Sequence, residues 1–277
     1  MTLIVSVISA DGIVIAGDSL SSLNRQINMN QSSKVICPQC QHEHTVQANF
    51  QGNVAQATYS HTEKVFPFFQ KFGIGVFGSG LIGGHSVNFL IRSFEYYTTK
   101  QNKNINGVTQ LAQQLGNNLH SYLKKHLEHE KKSLDDFPEN HIFLGFAIVG
   151  YDDLQSKMIE VLLSKDVRYN EFSNLGCYAS GNKEVVEAIW GLYKKRPDTQ
   201  PIYEVFSLQE AIDYAEFLIS STISHQRFSP TIPNVGGNID IALVRPFDEF
   251  QWIRQKPLGE LLQGDQHGKS TRSFHKI

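Results

Sequence analysis

Two residues early in the chain carry groups that could act together on an amide: Thr2 and Asp18. If Met1 is removed, Thr2 holds a hydroxyl nucleophile and a free α-amine on one residue, with the Asp18 carboxylate nearby. An α-amine titrates at about 7.7–8.0 in model compounds, far below the ~10.4 of a lysine. It can therefore take the hydroxyl proton near neutral pH, directly or through water. With Met1 retained the amine is not on Thr2 and the chemistry fails; a small second residue favours removal. A second group is Gly78-Ser79-Gly80-Leu81-Ile82-Gly83-Gly84, a glycine-rich strand-to-helix junction. Such a junction leaves backbone N–H groups free to point at a ligand. A third is Cys37-Pro38-Gln39-Cys40 with His42 and His44, which are zinc-type ligands. His42 and His44 stand too close to join both cysteines on one ion easily. A structural zinc would need Cys37 and Cys40 completed from elsewhere, by His61 or a neighbouring subunit. Free thiols or a redox pair are the other readings. The amide chemistry itself requires no cofactor.

These groups need elements to hold them. Thr2 to Asp18 reads TLIVSVISADGIVIAGD, two apolar strands around Asp11-Gly12, the pair that a type I′ hairpin turn prefers. The hairpin brings Asp18 back beside Thr2. Residues 19–33 read as a loop or ragged strand, and about 35–60 as an inserted surface hairpin rich in Gln and Asn. Lys64 to Phe68 and Phe72 to Phe77 form another strand pair that leads into the glycine-rich junction. Apolar residues on a helical period predict helices from His85, over 108–132, over 183–195 and over 208–224. His141 to Tyr151, Lys157 to Leu163 and Ile239 to Val244 read as strands. The order is strands, two helices, strands, two helices, strands. It predicts an α+β chain built as a four-layer αββα sandwich, one domain over 1–262, with a polar tail over 263–277.

Composition limits the function. Charged residues make up 19% and the net charge is −2, which argues against a nucleic-acid protein relying on overall basicity. No apolar run is long enough to cross a bilayer, so no membrane role is expected. The apolar start lacks a basic region and is broken by Asp11-Gly12, so it does not read as a signal peptide. Three cysteines make no disulfide framework, and a cytoplasmic setting is the expectation. Cys177 reads as core.

The opening motif resembles the start of proteasome β-type subunits, above all the bacterial HslV-type peptidases, which are N-terminal nucleophile hydrolases. The resemblance runs from Thr2 to about Val244. It implies that Thr2 is the nucleophilic threonine and that Asp18 holds the active-site network. Ser22 falls near the family's substrate-binding threonine. Two lysines compete for the family's active-site lysine. Lys34 keeps the ungapped spacing from Asp18; Lys64 keeps the spacing to Gly78-Ser79-Gly80 and its strand context. Lys64 is preferred, because the cysteine-bearing insertion then falls before the strand. Gly78 and Ser79 match the turn whose N–H donates to the oxyanion, and Ser180 matches the serine near the threonine amine. A homo-oligomeric ring, a polypeptide or peptide substrate and an ATPase unfoldase partner are also implied.

One departure stands out. Many β-type subunits carry an aspartate a few residues before a late Ser-Gly-Gly turn, and here the stretch reads Pro230-Thr231-Ile232-Pro233-Asn234-Val235-Gly236-Gly237. The main expectation is a threonine-type endopeptidase. The departure motivates an alternative, a catalytically weak or inactive scaffold. A small-molecule amidohydrolase on the same fold is another.

Overall fold

The computed structural model describes residues 2–36, 38–230 and 232–257. Met1, Cys37 and the tail over 263–277 lie outside the described residues. The chain is α+β. Strands β1 (Leu3–Ser9) and β2 (Gly12–Asp18) form the opening hairpin, β3 (Ser21–Ile36) and β4 (Glu43–Tyr59) a second, and β5 (Val65–Phe68) and β6 (Phe72–Gly78) a third. The short strands β7 (Leu81–Ile82) and β8 (His85–Ser86) precede helices α1 (Val87–Lys100) and α2 (Val108–His129). Then come β9 (Leu144–Asp152), β10 (Gln155–Leu163), β11 (Val167–Phe172) and β12 (Gly176–Gly181). Helices α3 (Glu184–Lys195) and α4 (Leu208–Phe228) lead to β13 (Ile239–Val244) and β14 (Gln251–Arg254).

Two five-stranded antiparallel sheets result, ordered β12-β1-β2-β13-β14 and β11-β10-β9-β6-β5. β1 is buried throughout, and apolar apart from Ser6 and Ser9, because both of its faces are covered and alternate side chains leave a strand in opposite directions. Leu3, Val5 and Val7 pack with Ala211, Ala215 and Leu218 of α4. Ile4 and Ile8 turn the other way and meet Val65, Phe77 and Ala147 of the second sheet. That sheet's opposite face places Phe66, Ile74 and Phe146 against Leu111, Leu115 and Leu119 of α2. Each such Val, Leu, Ile or Phe side chain contributes about 1.5–3 kcal/mol by leaving water. Helix α1 begins where the Ser86 Oγ accepts the Phe89 N–H at 3.1 Å, an N-cap that fixes how the glycine-rich junction enters the helix.

Three sequence expectations need correction. The surface hairpin spans Ser21 to Tyr59, not 35–60. β3 and β4 pair in a two-stranded sheet of their own, so no layer demands an apolar face and no alternation marks the strands. The opening turn is not type I′ at Asp11-Gly12: Ser9 pairs with Gly12 across Ala10-Asp11, and neither Asp11 nor Gly12 has a positive φ. A Cβ on Gly12 would stand 3.0 Å from both Arg245 and Leu208, so a close approach, not φ, favours glycine there. Helix α4 runs on to Phe228, beyond the expected end at residue 224. The short strands β11 and β14 carry mixed, largely exposed side chains and gave no signal.

Candidate active site

Asp18 ends β2 with its side chain wholly buried. Its carboxylate accepts from the N–H groups of Leu3 (3.0 Å), Leu20 (3.2 Å) and Gly236 (2.9 Å), and from Lys64 Nζ (3.0 Å). One side chain thereby ties the start of β1, the chain after β2, the loop before β13 and the residue before β5. The Gly236 carbonyl in turn accepts Ser19 N–H at 3.0 Å and Leu20 N–H at 2.8 Å. The late loop whose sequence departs from the resemblance is thus bonded directly to Asp18.

Lys64 is 5% exposed, and its ammonium also donates to the Leu20 carbonyl. Lys34, the competing lysine, lies on β3 with its side chain 71% exposed and pairs with Glu43 at 3.0 Å. Lys64 is the lysine beside Asp18. Burial pushes the Asp18 carboxyl above its ordinary range, against the pull of Lys64 and of the Gly236 and Leu3 N–H groups. Burial pushes Lys64 below its ordinary range; Asp18 opposes the shift and the Lys256 ammonium adds to it.

Lys256 belongs to a second buried pair that no sequence pattern announced. Its N–H donates to Asp240 Oδ1 at 2.8 Å, its ammonium bonds Asp240 Oδ2, and both side chains are 1% exposed. Asp240 on β13 stands opposite Gly17, the neighbour of Asp18.

Thr2 is 5% exposed and lines a small pocket of about 90 Å³ together with Ser21, Lys64, Gly78 and Ser79. Its carbonyl accepts the Asn182 N–H at 2.8 Å. Asn182 Nδ2 donates to Asn234 Oδ1 at 2.6 Å, and the same oxygen accepts Gln226 Nε2 at 3.1 Å. Gln226 Oε1 closes the network by accepting the N–H groups of Asn234 (2.9 Å) and Val235 (3.0 Å). Asn234, in the loop that lacks the aspartate and serine of the resemblance, supports Thr2 through Asn182. Asn182 directly follows Ser180-Gly181, which was a usable signal; Gln226 gave none.

Ser180 lies on β12 opposite Ile4, and its Oγ is buried without a hydrogen-bond partner. An unpaired buried hydroxyl costs about 1–3 kcal/mol, so its retention wants a reason. Leu3 pairs with Gly181, so Ser180 lies within two register positions of Thr2 on the neighbouring strand.

The oxyanion assignment divides. The Ser79 N–H is taken by the Phe143 carbonyl at 3.0 Å and its Oγ donates to the Leu81 carbonyl at 2.8 Å, so the Ser79 amide is not a free donor. Strand geometry turns successive N–H groups to opposite sides. Val76 N–H points towards β5 and bonds the Lys64 carbonyl at 2.8 Å. Strand alternation gives the Gly78 N–H the same side as that of Val76, and Gly78 lines the pocket. Ser22 lies on β3 opposite Thr58; its side chain is outside those described, and the neighbouring Ser21 lines the pocket.

The cysteine segment lies at the far end of the hairpin. Cys40 is exposed, and His42 Nδ1 lies 2.7 Å from its carbonyl oxygen. Among the described residues no cluster of three or more His, Cys, Asp or Glu could hold a metal ion. Among them, too, no helix is long and apolar enough to cross a membrane. The sequence matches no protein-family model, and no curated protein matches it.

Proposed function

We propose that this chain is a threonine-type amide hydrolase, a peptidase subunit in which Thr2, freed of Met1, is the nucleophile and its α-amine the base. One observation carries the reading: Thr2 and Lys64 line one pocket, and Lys64 is locked on a fully buried Asp18. An ammonium held beside an α-amine keeps that amine neutral by like-charge repulsion, so it can accept the Thr2 proton. The Thr2 oxygen then attacks the substrate carbonyl. Gly78 N–H receives the developing oxyanion, an effect of about 3 kcal/mol for one donor. The protonated amine passes its proton to the leaving nitrogen, and water hydrolyses the ester. Ser180 holds the amine.

On this reading the two sheets and their covering helices are the four-layer αββα sandwich of the N-terminal nucleophile hydrolases, in a single domain over 1–262. The substrate is polypeptide or peptide, the assembly a homo-oligomeric ring, and an ATPase unfoldase its feeder. The packing of α4 against β1 and of α2 against β9 and β10 supports the layering.

The test is direct. Intact mass shows whether Met1 is gone, and a threonine-directed electrophile such as a peptide epoxyketone is mapped by peptide mass. The expected adduct lies on Thr2, disappears in Thr2→Ala, and abolishes peptide hydrolysis. A Met1-free chain that forms no adduct and cleaves no peptide would overturn the reading.

A further inference from the structure

The pocket beside Thr2 has two characters. Phe66, Val76 and Val87 form apolar walls, and Glu63 and Asn88 supply polar groups. Glu63 Oε2 accepts from Asn88 Nδ2 at 2.6 Å, which is a neutral partner for a charged group. Among the described residues no cation pairs with Glu63. Lys64, next in the chain, is turned to Asp18. Arg92, one turn along α1 from Asn88, is held by Glu95 at 3.0 Å and by the Pro67 carbonyl at 2.8 Å. Asn88 Oδ1 is buried and has no hydrogen-bond partner. The pocket is therefore lined by a carboxylate to which no described cation is paired and by an amide oxygen that accepts nothing.

A part-buried carboxylate without a cation is costly, and such a group marks what the site is built to receive. An apolar-walled slot with an acidic group suits a side chain with an aliphatic stem and a charged, many-donor head. The first turn of α1 places only a fractional positive charge near Glu63, which an ammonium or guanidinium exceeds. We infer that this pocket selects lysine or arginine at the residue whose carbonyl Thr2 attacks, with Glu63 and Asn88 as the specificity-determining pair. The inference rests on the amide-hydrolase reading and adds the substrate class.

The experiment uses the full-length processed protein and a set of fluorogenic peptides identical except for Lys, Arg, Leu, Gln or Glu before the scissile bond. Lys and Arg peptides should have kcat/KM about 10–100-fold above Leu, and Glu should be cleaved least, as expected where one charged hydrogen-bonding contact decides selection. In Glu63→Gln the Lys-to-Leu ratio should fall at least about tenfold, and Glu63→Lys should raise the Glu peptide above the Lys peptide. Epoxyketone labelling of Thr2 in each variant shows that the nucleophile is intact. Leucine preferred by the wild type, or a Lys-to-Leu ratio unmoved in Glu63→Gln, overturns this inference alone. Cleavage of none of the peptides, with no Thr2 adduct, overturns it together with the hydrolase reading.

Discussion

The Lys64 ammonium lies 3.0 Å from the Asp18 carboxylate, although 46 positions separate them in the chain. The spatial path is short because the intervening hairpin leaves and returns at one place. Ser21 pairs with Tyr59 where it departs, and Thr62 N–H donates to the Ser19 carbonyl at 3.0 Å where it comes back. The insertion lengthens the sequence between the two charged residues without moving them apart. Any function that needs a lysine held on the Asp18 carboxylate is thus independent of what the hairpin does at its far end.

The costs of removing the two partners should not add. Asp18→Asn leaves the Lys64 ammonium buried and unpaired, and turns an NH2 towards N–H groups that need an acceptor. Breaking a buried pair in this way costs about 3–5 kcal/mol, whereas an apolar replacement of the whole pair is often close to neutral. Urea melts of Asp18→Asn, Lys64→Met and the double variant should show the double destabilised by clearly less than the sum of the two singles. All three should lose at least about 100-fold in peptide turnover, because the proton-transfer environment is gone. Turnover by the double variant at the wild-type rate would refute the role given to the pair.

Lys34→Ala supplies the counter-experiment. Lys34 and Glu43 are 71% and 53% exposed, and an exposed ion pair contributes about 0–1 kcal/mol. Melting and peptide turnover should both stay near the wild-type values. A loss of activity comparable to that of Lys64→Met would mean that the hairpin takes part in catalysis.

The pH dependence of stability follows from the two shifts. Burial raises Asp18 from 3.8, so just above that value the folded chain holds more protons than the unfolded one and this stabilisation falls as pH rises. Burial lowers Lys64 from 10.5, so just below that value the folded chain holds fewer protons and stability grows as pH rises. Between the two windows both groups are charged and the cost of burying them is greatest. Relative to Asp18→Asn/Lys64→Met, the wild type should be least favoured near about pH 7 and gain towards about pH 4 and about pH 10. Chemical denaturation at these three values measures the difference; a steady slope across them would be the wrong result.

The parts legible in the sequence are those that answer to one dominant force. β1 and β2 are apolar on both faces because both faces are covered, and the helices showed their apolar stripes. That Lys64 lies beside Asp18 was legible because β5 and β6 preserve its spacing to Gly78. The illegible parts depend on single polar contacts between distant residues. Asn182 meets Asn234 across 52 positions and Lys256 meets Asp240 across 16, with no periodicity to announce either. Ser79 read as an oxyanion donor because of its place in the turn that the resemblance matches; its N–H is instead taken by the Phe143 carbonyl just before β9, a pairing that the local sequence does not encode.

Gly181 gives the sharpest test of positioning as distinct from chemistry. Its φ is +88°, and a Cβ there would lie 2.0 Å from the Thr2 carbonyl oxygen. That oxygen is backbone, so it can yield only by moving the start of β1. Gly181→Ala removes no catalytic group, yet it should displace Thr2. The strained backbone costs about 1–3 kcal/mol. A shift of about 1 Å at a nucleophile costs about 100-fold in rate. Circular dichroism should report a folded chain with a lowered melting point, while epoxyketone labelling of Thr2 slows at least about 100-fold. Gly191→Ala in α3, where a Cβ meets nothing within 4 Å, serves as the control. It should label at the wild-type rate and gain up to about 1 kcal/mol from better helix propensity. Normal labelling of Gly181→Ala would show that the backbone around Thr2 tolerates displacement, and that its register with β12 does not set its reactivity.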